Sequence, residues 1–258
     1  MKRRLAVTGL ALATALGLGA CQTAPSDDAG KPAPTGAATA GATDAAAAKE
    51  LTAAAAKLAE DTVRVEMTMG GGLTSTGVMD PQEGVAQMTM TMAGAGEGTE
   101  IAIRKLGDDM YLRFTGGLAN VMGKKWMHLD ASDLKAGSNF AVMPKDDPTG
   151  AQALAKAVTQ VAKQGDTYTG VIDITKAPSL NKDSLKALGA KSNTVPFTAK
   201  VDDSGRLVEM TVDMSALAPT AGTMTTTYSD FGTKVSVNKP PAAQVTEPPK
   251  ELAGLLNA

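Results

Sequence analysis

Val63-Arg64-Val65-Glu66-Met67-Thr68-Met69, Val85-Ala86-Gln87-Met88-Thr89-Met90-Thr91-Met92 and Met110-Tyr111-Leu112-Arg113-Phe114 alternate apolar with polar residues. Successive side chains of a strand point to opposite faces, so this period of two predicts strands with one dry and one wet face. Leu73 to Asp80 reads as a weaker strand, and Ile101 and Ile103 mark another. Gly70-Gly71-Gly72, Pro81 to Gly84, Gly94 to Gly98 and Gly107-Asp108 supply turns between them. Short alternating segments joined by glycine turns predict an antiparallel meander of five strands.

The same reading extends along the chain. Gly116 to Gly123 reads as a loop, followed by a sixth strand at Lys124 to Asp130 with the only Trp and the only His, Trp126 and His128. Ser132 to Met143 is irregular. Asp147 and Pro148 then offer a cap and a first helical residue, and Ala151, Leu154, Ala155, Val158, Val161 and Ala162 share a helical face as far as Lys163. Strands are expected at Asp166–Ile174, Val195–Val201, Val208–Met214 and Thr223–Phe231, with a short last one at Val235–Val237. Short helices are expected at Asn181–Leu188 and Lys250–Leu256. The fold class is therefore α+β, with about ten or eleven strands and three or four helices.

Upstream, Asp44 to Ala59 is Ala-rich, with Leu51, Ala54, Ala55 and Leu58 at helical spacing. Residues 22–43 are Ala, Thr, Gly, Pro and Asp, too poor in large apolar groups to offset the entropy of ordering. They read as a tether with a reach of about 25 Å. Lys2, Arg3 and Arg4 precede the apolar run Leu5–Leu16, and Leu18-Gly19-Ala20-Cys21 ends the leader. That is the layout of a secretory signal, too short for a spanning helix. The expected division is a signal peptide over 1–20, Cys21 with its tether over 21–43, and one domain over 44–258.

The leader holds three of the 25 basic residues and none of the 27 acidic ones, leaving 22 against 27. Such a chain has no basic patch for nucleic acid or anionic headgroups. One His and one Cys cannot make a zinc site. His128 alternates with Trp126 on a strand and reads as a sheet-surface residue. Asp108-Asp109 and Asp202-Asp203 sit in turns without calcium-loop spacing. No glycine run continues into Gly-Lys-Ser/Thr. Nucleophile, base and orienting group are not assembled, so no catalytic residue and no metal or other cofactor is expected. Aromatic residues are 3 % while methionines number 14. Methionine is flexible and polarisable, and suits surfaces that accept varied apolar shapes, although it also fills cores.

Leu18-Gly19-Ala20-Cys21 resembles the lipobox of bacterial lipoproteins. The resemblance implies a diacylglyceryl group on the Cys21 thiol and cleavage before it. Two acyl chains suffice for stable anchoring, which places the domain outside the cytoplasm at the cell-membrane surface. The assembled chain resembles the mycobacterial LppX/LprA/LprF/LprG lipoproteins, and more distantly the carriers of the lipoprotein-sorting system. The resemblance rests on the lipobox, the tether, the Asp44–Ala59 helix, Trp126-Met127-His128-Leu129-Asp130, and Tyr228-Ser229-Asp230-Phe231-Gly232-Thr233-Lys234-Val235-Ser236-Val237 ahead of Pro240. It implies a single strongly curved antiparallel sheet, a half-barrel, whose concave face is covered by helices around an apolar cavity for acyl chains.

The expected function is then binding and transfer of acylated lipids or lipoglycans in the cell envelope. Withdrawing one sixteen-carbon chain from a bilayer costs about 13 kcal/mol, which only an apolar cavity can offset. The residues expected to face it are Met67, Met69, Met88, Met90, Met92, Ile101, Ile103, Met110, Leu112, Phe114, Phe197, Met210 and Met214. The alternative is an anchored accessory lipoprotein with a filled core that partners a membrane transporter or sensor. A monomer is the default expectation.

Overall fold

The alternating segments assemble into one sheet of twelve strands in the computed structural model, which describes residues 44–93, 98–133, 142–176, 193–217 and 222–248. The leader, Cys21, the tether and the helices expected at Asn181–Leu188 and Lys250–Leu256 lie outside the described residues. The chain divides into the units Met1–Thr39 and Ala40–Ala258, and the sheet belongs to the second.

The first meander is β1 (Val63–Met69), β2 (Leu73–Asp80), β3 (Val85–Met92), β4 (Glu100–Leu106), β5 (Asp109–Phe114) and β6 (Trp126–Asp130). The second is β7 (Val158–Gln164), β8 (Thr167–Asp173), β9 (Thr194–Val201), β10 (Leu207–Asp213) and β11 (Thr223–Ser229). They join because β1 pairs with β2 on one side and β11 on the other. A two-residue strand, β12 (Val245–Thr246), adds in parallel beside Trp126 and Met127 of β6. The order β12-β6-β5-β4-β3-β2-β1-β11-β10-β9-β8-β7 leaves the sheet open, with the remaining pairs antiparallel.

Helix α1 (Ala45–Ala56) begins where Asp44 accepts hydrogen bonds from the Ala46 and Ala47 amides at 2.9 and 3.2 Å, satisfying donors that the first turn would leave unpaired. Asp44 N–H in turn donates to the Val161 carbonyl of β7 at 2.9 Å. Ala47, Leu51, Ala54, Ala55 and Leu58 are buried in one cluster with Val63, Val65, Phe197, Ala199 and Val212 of the sheet. The helix is also tied electrostatically. Glu50 meets Lys163 of β7 at 2.5 Å and accepts from the Tyr168 hydroxyl at 3.1 Å, and these two contacts hold its carboxyl below the usual range.

Three expectations need correction. The helix expected to run to Lys163 stops at α3 (Ala151–Ala157), and Val158–Gln164 becomes β7. β-Branched Val158, Thr159 and Val161 favour the extended state, and a bulge between Thr159 and Ala162, with Gln160 at φ 52°, fits the segment to β8. The strand buries Val161 and exposes Ala162, whereas a helix would have buried both. Pro148 is not the first helical residue: it lies in a turn, the N-cap of α3 is Gly150, and the Asp147 carboxylate reaches across that turn to accept from the Gln152 and Ala153 amides.

Gly116–Met122, read as a loop, is helix α2; Leu118 and Met122, four apart, pack into the sheet cluster around Leu112. Gly116 has φ 58°, and a Cβ there would come within 2.7 Å of the Thr99 backbone, so only glycine permits this approach. Finally, Val235–Val237 forms no strand. β11 is already flanked by β1 and β10, so no edge remains for it, and the tail instead supplies β12. With β7 and β12 included, the strand count is twelve rather than ten or eleven.

Leu51 is fully buried in α1, and Ala53 on the same helix is exposed. Leu51→Ala is expected to lower the unfolding free energy by about 2–5 kcal/mol in urea titrations, whereas Ala53→Ser should change it by less than about 1 kcal/mol.

Candidate functional site

Register puts the strand residues of the expected apolar set on one face. Met67 lies opposite Ser75, which pairs with Met90, which pairs with Ile101, which pairs with Phe114. The neighbouring row runs Val65, Gly77, Met88, Ile103, Leu112 and Met127. Met69, Leu73 and Met92 form a third row at one end. In the second meander, Met210 and Val212 pair with Ala199 and Phe197 on the same face. Met214 follows β10 in a short 3-10 turn and packs at the edge of the α1 cluster.

Burial divides this set in two. Ile101, Ile103, Met110, Leu112, Phe114 and Phe197 are buried in packed clusters. Met67, Met69, Met88, Met90, Met92, Met210 and Met214 are only half-buried. Two clusters share the face. One gathers α1, part of α3, β7–β10 and Val63, Val65, Met79 and Ala86 of β1–β3; the other gathers β4–β6 with α2. Among the described residues, neither takes in Met67, Met69 or Leu73. These three make a seam, flanked by Met90 and Met92 of one cluster and Met224 of the other.

Accessibility falls along the strands. Met69, Leu73 and Met92 are half-buried, whereas at the far end Val63, Met79, Ala86, Met110 and Leu129 are buried. The seam is therefore open at the Met69 end and packed shut at the Val63 end. A small pocket of about 210 Å³ lies nearby between α1, α3 and the sheet, lined by Ala55, Leu154, Ile172, Leu207, Met210 and Tyr228. Burial pushes the Tyr228 phenol up to about 12.

Among the described residues three polar side chains are buried, Ser75, Thr99 and Lys105, and the two that lie within the strands of this face escaped the sequence reading. Ser75 is 2 % exposed, and among the described residues its hydroxyl has no hydrogen-bond partner. Lys105 is 8 % exposed and donates to the Gly107 carbonyl at 2.6 Å, bending its ammonium to the hairpin end; burial lowers its pKa. The signal was parity: Ser75 falls in step with Leu73 and Met79, and Lys105 with Ile101 and Ile103.

The opposite face carries a second, polar hollow. The tail after β11 crosses β4–β6, with Arg104 donating to the Asn238 carbonyl at 2.9 Å. Arg104 and Arg113 each sit 4.7 Å from the Trp126 ring centroid. Tyr111 stacks on His128 with centroids 5.0 Å apart. Nε2 of His128 meets Asp109 at 2.5 Å, and Lys239 reaches the other Asp109 oxygen at 3.6 Å. Tyr111, His128, Lys239, Pro240 and Val245 border a pocket of about 600 Å³. His128 is thus a sheet-surface residue, and its hydrogen-bond partner is the Asp109 carboxylate. Among the described residues no three His, Cys, Asp or Glu side chains gather as a metal site would require.

His128, and secondarily Lys239, hold the Asp109 carboxyl below its usual range, against partial burial. A lowered carboxyl pKa stabilises the fold above the unfolded-chain value near about 4 and loses that contribution as pH falls through the lower folded value. Asp109→Asn should accordingly lower the melting temperature by a few degrees near neutrality, and the difference should vanish in strong acid, as read by circular dichroism melts across pH. The chain matches no protein-family model and no curated protein sequence.

Proposed function

We propose that this chain is a membrane-anchored extracytoplasmic lipoprotein that binds acylated lipids or lipoglycans on the apolar sheet face and transfers them within the envelope. Cys21 carries the acyl anchor, and residues 22–43 tether the domain to the outer face of the membrane. In this reading the sheet wraps as a half-barrel, with α1 and α3 across part of its hollow, in the manner of the LppX/LprA/LprF/LprG lipoproteins it resembles.

The observation that carries the proposal is the half-buried methionine seam. A filled core would bury the inner methionines as completely as it buries Met110 and Met127, which are fully enclosed. Instead seven of the thirteen residues assigned to the site retain accessible surface, and all seven are methionines. Burying apolar area against an acyl chain recovers roughly 25 cal/mol per Å² of surface, and flexible thioethers can follow chains of different length and branching. The face offers binding energy without chemistry, consistent with a carrier rather than an enzyme.

The test uses the chain from Gln22 onward, which retains the compact unit Ala40–Ala258, exported without the anchor from an actinobacterial host and purified without detergent. Native mass spectra should show extra mass that organic extraction releases as acylated lipid. A lipid-free mass together with no uptake of a pyrene-labelled phospholipid would refute the carrier and favour a protein-partner role. Loading should also protect Met67, Met69 and Met90 from peroxide oxidation, read by peptide mass spectrometry, while Met110 and Met127 resist with or without lipid. Met90→Lys should reduce uptake on the order of tenfold or more by placing a charge beside the seam.

A further inference from the structure

We propose that the Ser75 hydroxyl donates a hydrogen bond to the ester carbonyl of a bound acyl chain, fixing the lipid with its head at the Met69–Leu73–Met92 end and its tail toward Val63. The inference rests on the lipid-binding reading and specifies its ligand as an ester-linked lipid.

The first observation is the orphaned donor. Ser75 is enclosed to within 2 % of its surface, and among the described residues its Oγ finds no partner. A buried hydroxyl without a hydrogen bond is destabilising, and alanine would fit the same space without that cost. Register sets Ser75 on the seam between Met67 of β1 and Met90 of β3, so the group it lacks must come from that face. An apolar tail end cannot supply it, whereas a carbonyl oxygen can.

The second observation, independent of the first, is the gradient of accessibility. The row two residues before Ser75 (Met69, Leu73 and Met92) is half-buried, and the row four residues beyond it (Val63, Met79 and Ala86) is buried. At about 3.3 Å per residue, Ser75 sits roughly 7 Å inside the open end. An ester carbonyl stands one bond from the start of its acyl chain and a few bonds from the headgroup. A lipid whose headgroup remains at the open end therefore delivers its carbonyl at this depth while the chain runs on toward the packed end. The reverse orientation would set methylene groups against the hydroxyl and drive the polar head into the Val63 row, whose charged member, Lys105, is already bent away to the Gly107 carbonyl. Gly77, next on the same face, marks a close approach of β2 to β3: a Cβ there would come within 2.6 Å of the Gln87 carbonyl oxygen and 2.7 Å of Met88 Cγ.

The experiment compares the chain from Gln22 onward with its Ser75→Ala variant. The probes are two pyrene-labelled phosphatidylglycerols, one with ester-linked chains and one with ether-linked chains, titrated into delipidated protein. The wild type is expected to bind the ester form about fivefold more tightly than the ether form, the change one neutral hydrogen bond brings. Ser75→Ala should weaken only the ester form and so erase the difference. Melting of the lipid-free proteins supplies the second readout: Ser75→Ala should melt at or above the wild-type temperature, because it removes an unpaired buried hydroxyl. Equal ester and ether affinities in the wild type, or a lower melting temperature for lipid-free Ser75→Ala, would overturn the assignment while leaving lipid binding intact. Binding of neither probe by the wild type would overturn the lipid reading and this inference together. A concentration-dependent dimer that excludes both probes would assign the face to a second copy instead.

Discussion

The pairing of β1 with β11 is the constraint on which the architecture depends. The chain lays down β1 first, builds outward to β6, and then crosses through α3 to start again at β7 on the far edge. Only when β11 finds β1, in register from Arg64 opposite Ser229 to Met69 opposite Met224, do the two meanders become one sheet. Each meander is held by local hairpins, but this junction closes over more than 150 residues of chain and carries a large loop-closure cost. What offsets it is shared burial. Val65 lies opposite Tyr228, both belong to the α1 cluster, and α1 itself rests against strands of the second meander.

That junction also creates the site. On β1 and β2 the α1 cluster reaches no further than the Val65 row, and these paired strands continue for two further rows on the apolar face. Met67, Met69 and Leu73 lie there between two packed clusters without belonging to either. A residue with large rigid side chains at these positions would either fill the seam or hold it in one shape. Methionine leaves a surface that is apolar, deformable and only partly enclosed. The same strands expose Arg64, Glu66 and Thr68 on the other face, or keep them at most half-buried, so their ladder keeps one dry and one wet side.

The two faces of the sheet are stabilised by different means. The dry face relies on packing, with Glu50, Lys163 and Tyr168 as a polar clasp at its edge. The wet face over β4–β6 is sheltered by the C-terminal tail, which brings Lys239 to Asp109 and the Asn238 carbonyl to Arg104. This explains why Trp126 and Tyr111 are buried although they point away from the main core. It also gives Arg104, Arg113 and His128 structural partners on the face opposite the seam.

The period-two alternation of residues 63–114 determined the first five strands and the face each side chain occupies, because strand parity depends on local geometry alone. The spacing of Leu51, Ala54, Ala55 and Leu58 determined α1 in the same way. Tertiary structure decided what local patterns leave degenerate. Val158–Lys163 has apolar residues at helical spacing, yet pairing with β8 turns it into a strand and flips Ala162 outward. The loop expected at 116–123 becomes α2 because Leu118 and Met122 find a cluster to enter. The thirteen apolar site residues look alike in sequence. Only packing in the folded sheet divides six that are sealed in clusters from seven methionines left half-buried. Ser75 reads as an ordinary strand residue until register places it on the apolar face, where the physical question becomes which acceptor its hydroxyl meets.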